Sequence, residues 1–201
     1  MFIFIEMALM LGGVVMLCGA ASIYERAVSL VKRYGTRDTV RIAKEMGIFV
    51  HYINGLESLL GMYSYRYKER HILLNANMDH ITTQMVCGHE IGHDLLHRDR
   101  AREEFGLQEF ILFDIRNTME YEANAFAAHL RIPDEELFDL LRQGYDIVEA
   151  SALMETNVNL VLIKLNEFNR MGLHLDLPYI PKSDFLRQIV ATPRGDATDA
   201  I

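Results

Sequence analysis

VCGHEIGHDLLH, residues 86–97, sits in the most strongly helical pattern of the chain and contains His89-Glu90-x-x-His93. A spacing of four places the two histidines one turn apart on the same face, where two imidazole nitrogens can converge on one tetrahedral Zn²⁺. Glu90 is rotated by about 100° from His89. That is too far for it to be the natural third ligand, but it suits a base that takes a proton from water attacking a polarised peptide carbonyl and returns it to the leaving amine.

The third ligand should come from another helix. Residues 120–128, EYEANAFAA, carry the apolar and small residues Met119, Ala123, Phe126, Ala127 and Leu130 at helical spacing, a face that can pack closely on the first helix. Glu120 and Glu122 flank that face on opposite sides, so periodicity alone does not choose between them. Asn124, one turn beyond Glu120, favours Glu120, because a polar partner there can hold the carboxylate or the back nitrogen of a metal-bound histidine.

Outward from this pair the pattern is mixed. Upstream, Ser22 is expected to cap a helix with Ile23, Ala27, Leu30 and Val31 on one face, ended by Gly35. Thr36 is expected to open a second helix, TRDTVRIAKEM, stopped by Gly47. Extended runs follow at 48–53, 62–67 and 71–75, and Lys68-Glu69-Arg70 reads as the loop of a hairpin between the last two. From residue 80 the period is helical: 80–97, 117–131, 134–143, about 146–155 and 159–171, with Pro133 fitting the first turn after Ile132. The expected architecture is α+β, mostly helical with a small twisted β-sheet.

A chain of 201 residues with 50% hydrophobic residues can bury one core. The reading is one domain over 22–190 and a flexible tail at 191–201. The formal charge of −8 argues against direct nucleic-acid binding. Cys18 and Cys87 show no C-x-x-C spacing, which suits a reducing compartment and a cytoplasmic location. Residues 1–21 form an apolar leader with one charge, Glu6. Three readings stand for it: a membrane anchor keeping the domain in the cytoplasm, a helix packed on the domain, or an artefact of start-site assignment.

HEIGHDLLH followed by EYEANAFAAHLRIP resembles the ImmA/IrrE family of zinc metallopeptidases, whose pattern is HExxH, then LH, then E-x-E-A-[ND]-x-F-A and a proline. The likeness extends upstream through YGTRDTVRIAKEMGIFVHYI and ILLN, spanning roughly residues 23–172. It implies a zincin-like fold, zinc held by His89, His93 and Glu120, and Glu90 as the catalytic residue. It also implies a substrate, a helix-turn-helix repressor cleaved to relieve repression of phage or conjugative-element genes. Cys87-Gly88 departs from the Ala that many members carry before His89, and the leader is outside the usual pattern. The alternative function is a noncatalytic regulator that uses the zinc site structurally and binds the repressor without cutting it. An intact Glu90 favours catalysis, since a structural site has no need of it.

Other signals are weaker. His97 extends the histidine row with a drift of about 80°, either toward a supporting role at the site or toward closing the helix terminus. Cys87 points to the far side of the helix and reads as a core cysteine. His129 is expected on the surface near Glu122, and His51, His71 and His80 show no mutual spacing and receive no role. Tyr63, Tyr65 and Tyr67 alternate, making one strand face aromatic, either for packing or as an edge strand receiving an extended substrate. The helices at 146–155 and 159–171 imitate a DNA-reading helix pair. Residues 134–170, however, carry eight acidic side chains against three basic, which suits a basic protein partner rather than phosphate.

Overall fold

The computed structural model describes residues 17–56, 59–99 and 118–177. The leader before residue 17, the prolines at 178, 181 and 193 and the tail at 191–201 lie outside the described residues. Within them the order is α1 (Leu17–Tyr34), α2 (Thr39–Glu45), β1 (Phe49–Ile53), β2 (Gly61–Arg66), β3 (Glu69–Asn75), α3 (His80–Leu96), α4 (Thr118–Arg131), α5 (Asp134–Arg142), α6 (Ile147–Leu153) and α7 (Val158–Arg170). This is the mostly helical α+β arrangement the periodicities predict.

Helix α3 is the axis of the fold. Asp79 caps it by accepting the Thr82 amide at 2.8 Å, and every residue from Thr82 to Asp94 is buried. Such a helix must be packed on several sides, and two glycines make that possible. A Cβ on Gly92 would lie 3.0 Å from the Ala123 Cα, and one on Gly88 3.2 Å from the Thr39 Cγ2 and 3.5 Å from the Ala127 Cβ. Helix α4 therefore approaches α3 at backbone distance, and the Thr39 methyl of α2 packs directly on the Gly88 backbone. Gln84 fastens α2, its Oε1 accepting the Thr39 amide at 2.7 Å and its Nε2 donating to Asp38 Oδ1 at 3.0 Å.

The sheet has the order β1-β3-β2, with β3 parallel to β1 and antiparallel to β2. Its inward face contributes Tyr63, Ile72 and Leu74 to the main core, with Ile42, Ile91, Phe126 and Leu130 from the helices. A buried carboxylate joins sheet to helix: Asp94 of α3 accepts from the Tyr63 hydroxyl at 2.7 Å, from Arg70 at 3.1 Å and from Arg98 Nη2 at 2.9 Å.

Several local expectations change. Helix α1 starts at Leu17, so Ser22 is interior to it rather than its cap. Ala20 and Tyr24 carry it onto Phe168 and Met171 of the last helical segment, which is why the helix continues inward of Ser22. No helix of the described residues is long and apolar enough to cross a membrane. Asp38, not Thr36, caps α2, because its carboxylate reaches the Arg41 amide at 2.9 Å while Thr36 Oγ1 accepts only the Asp38 amide. The hairpin turn is Tyr67-Lys68 rather than Lys68–Arg70, and both residues are left-handed, with φ of 53° and 66°. A two-residue loop requires those angles to match the strand twist. No Gly or Asn marks it, so the sequence does not announce it.

Candidate metal centre

Helix α3 brings His89, Glu90 and His93 to one side of the core, and α4 faces them with Glu120. His89 Nε2 and His93 Nε2 are 3.0 Å apart. The two oxygens of Glu120 divide between them, Oε2 lying 3.2 Å from His89 Nε2 and Oε1 3.2 Å from His93 Nε2. All three residues are buried, and their ligating atoms lie within 4.8 Å of one another. Two nitrogens and a carboxylate aimed at one point form a donor set suited to a borderline-soft divalent cation.

Electrostatics point the same way. Burial raises a carboxyl's pKa, but hydrogen bonds from His89 and His93 outweigh it and hold Glu120 well below the carboxylate range. Burial opposes a charged His89, yet the hydrogen bond and charge of Glu120, with Glu90 adding, lift its imidazole to about 9. His93 goes down to about 4, chiefly through burial, with the His89 charge outweighing part of what Glu120 restores. One positive charge is thus drawn to the centre of the cluster, and the residues present fit a cation there.

Glu90 points toward the sheet. Burial, with the Glu120 charge adding, raises its pKa to about 7 against the opposing effects of His89 and the Tyr63 backbone amide. A carboxyl tuned to that range can both take and return a proton near neutral pH. Its closeness to β2 depends on Gly61, where a Cβ would fall 2.4 Å from Val86 Cγ1 and 3.0 Å from Glu90 Oε1.

Packing sends the two glutamates that periodicity left open to different imidazoles. Glu120 meets both histidines, whereas Glu122 Oε2 lies 3.0 Å from His97 Nε2. Asn124 Oδ1 lies 2.9 Å from His89 Nδ1, the nitrogen facing away from the cluster. His97 is part of this neighbourhood, its Nδ1 3.1 Å from His93 Nδ1.

Other expectations need correction. His129 is fully buried and remote in role from Glu122: its Nδ1 lies 3.4 Å from Lys164 Nζ, and its ring meets Tyr24 and Phe168 edge-on. The small residues of α4 turn that face inward, so the position one turn from them is core. His51 and His71, unrelated in spacing, come together across the parallel β1–β3 pair with Nε2 and Nδ1 3.1 Å apart. Tyr63 is buried on Asp94, Tyr65 is half-buried, and Tyr67 is 95% exposed in the turn, so the aromatic row is not one face. Cys87 is a buried core cysteine, as its position on the far side of α3 predicts. Asp94 carries no signal in the sequence beyond its adjacency to His93, yet it is the buried carboxylate that joins Tyr63, Arg70 and Arg98.

A helix-borne imidazole pair, a carboxylate from a second helix and a further buried carboxyl beside them define a site of the metallopeptidase class. Comparison with known proteins agrees. The family model described as the IrrE N-terminal-like domain, peptidase family M78, matches residues 43–166. The chain is also 35% identical over 105 residues to "Uncharacterized immunity region protein 2" of Bacillus phage phi105, an alignment covering 52% of this chain and 65% of that protein. The chain belongs to the IrrE N-terminal-like family of peptidases, and a metal cofactor goes with that family.

Proposed function

We propose that the chain is a zinc-dependent endopeptidase that cuts a helix-turn-helix repressor and so relieves repression of phage or conjugative-element genes. The observation that carries the reading is the convergence of His89, His93 and Glu120 from two helices, with Glu90 buried alongside. His89, His93 and Glu120 are the metal ligands and Glu90 is the acid/base. Held by these three side chains, a zinc ion would supply Lewis-acid polarisation of the scissile carbonyl and would acidify a water. Glu90 takes the proton of the attacking water and delivers it to the leaving amine, and the bond that breaks is the C–N bond of the peptide. Among the described residues strand β2 is the edge of the sheet, packed beside Glu90. An extended peptide added along that edge would pass the cluster.

The repressor assignment draws support from two sides. The phage phi105 relative is named for an immunity region, which points to a regulator of phage genes as the substrate. The acidic balance of residues 134–170 suits a basic DNA-binding partner. The site of action is the cytoplasm, where such a repressor resides.

Incubation of the zinc-loaded chain with the repressor encoded beside it tests this. Cleavage is expected to fall by about 10²–10⁴-fold in Glu90→Gln, to stop on chelation and to return with zinc. Equal derepression by wild type and Glu90→Gln without any clipping would instead establish a noncatalytic regulator.

A further inference from the structure

We propose that Glu122 and His97 form a positioning relay that sets the tautomer of His93 and so exposes the lone pair the metal needs. The inference rests on the reading of His93 as a ligand and joins Glu122 and His97 to it as a unit.

The relay follows from what each atom can donate. The Glu122 carboxylate only accepts hydrogen bonds. His97 Nε2, 3.0 Å from Glu122 Oε2, must therefore carry a proton. His97 Nδ1 lies 3.1 Å from His93 Nδ1, so one proton is shared across this gap. When His93 Nε2, the nitrogen that faces His89 and Glu120, gives its lone pair to a metal in place of its hydrogen bond to Glu120, the proton of the imidazole sits on Nδ1 and is donated to His97 Nδ1. Both rings are buried, so bulk water does not substitute for the missing partner. Reversing the order would put a proton on His93 Nε2 and block coordination.

The two histidines of the cluster are thus oriented from behind by the same helix. Asn124 holds His89 directly, and Glu122 holds His93 through His97. Because α4 also contributes Glu120, the alternation Glu120, Glu122, Asn124 serves one centre from three directions. Outer partners of this kind raise ligand basicity and lock ring orientation.

Zinc affinity, measured by competition with a chromophoric chelator, tests the relay without any substrate. Glu122→Ala is expected to weaken zinc binding about tenfold, and His97→Ala by a similar factor. The double variant should be no weaker than His97→Ala, since Glu122 acts only through that ring. Glu122→Gln, whose amide oxygen still accepts, should restore affinity to within about threefold of wild type. Long-range ¹H–¹⁵N spectra of the zinc-loaded protein should show His97 protonated on Nε2 and bare on Nδ1. The Glu122 side chain is 34% exposed, so thermal melting of Glu122→Ala should match wild type and separate the effect from misfolding. Unchanged affinity in Glu122→Ala, multiplying losses in the double variant, or a proton on His97 Nδ1 would overturn the relay. A wild-type chain that binds no zinc would overturn the metal-site reading itself, a distinguishable result.

Discussion

Glu120 and Glu122 stand two residues apart on α4 and end at different imidazoles, the first at His89 and His93, the second at His97. Asn124, one turn on from Glu120, makes the matching contact with His89. Asn124→Ala leaves His89 Nδ1 without its acceptor, and zinc affinity is expected to drop by roughly tenfold, while Asn124→Asp should retain most of it. Isothermal titration with zinc checks both. On the opposite side of α3, burial pushes the Cys87 thiol up to about 12 against a weaker opposing hydrogen bond from Thr39. The thiolate is the reactive form, so Cys87 should resist iodoacetamide at pH 8 until the chain is unfolded. Peptide mapping of the labelled protein is the measurement, and native-state modification at the rate of a free thiol would contradict it.

At the level of elements, the α3–α4 contact decides whether the centre exists, because α3 supplies two of its side chains and α4 the third. Gly92 and Gly88 line that contact unequally. A methyl at Gly92 meets backbone, the Ala123 Cα at 3.0 Å and its carbonyl oxygen at 3.1 Å, whereas at Gly88 the nearest atoms are side-chain carbons. Alanine in place of glycine favours a helix by about 1 kcal/mol, and overpacking costs about 1–3 kcal/mol. The two effects should nearly cancel in Gly88→Ala. Gly92→Ala should lose stability in urea and bind zinc more weakly as well, since α4 must back away and carry Glu120 with it. Equal behaviour of the two variants would mean that this helix contact is looser than the distances indicate.

Across the whole molecule, a second buried polar cluster ties the helices together away from the metal centre. Lys164 of α7 is fully buried, 2.5 Å from Asp134 Oδ1 of α5, and the Tyr24 hydroxyl of α1 donates to the other oxygen at 2.7 Å. Burial lowers the Lys164 ammonium from its ordinary 10.5 to about 8, against the opposing charge and hydrogen bond of Asp134. Between those two values the unfolded chain binds the lysine proton and the folded chain does not. Unfolding then takes up a proton, so this group's contribution to stability rises with pH from about 8 toward 10.5. Urea midpoints of wild type and Lys164→Met, compared from pH 7 to pH 10, should show wild type gaining on the variant by on the order of 1–3 kcal/mol. A pH-independent gap would show that Lys164 holds an ordinary pKa.

The metal-ligand candidates on α3 were legible because two histidines four apart need only helical geometry to share a face, and the helix forms from local capping and periodicity. The same locality made the extents of α3 to α7 readable to within a residue or two. What local pattern does not contain is which side of a helix its neighbour occupies. Glu120 over Glu122, the burial of His129, the meeting of His51 with His71 and the link from Glu122 through His97 to His93 all depend on the approach of segments distant in sequence. The Tyr67-Lys68 turn depends on strand register, which enforces left-handed angles on residues that do not prefer them. The amino-acid order by itself therefore determined the helix-borne half of the centre and the α+β class, since both follow from interactions within one or two turns. Only the tertiary structure decided which glutamate meets the histidine pair and which side chains lie behind it, because side-chain hydrogen bonds reach about 3 Å and only packing at the glycine contacts brings α4 that close.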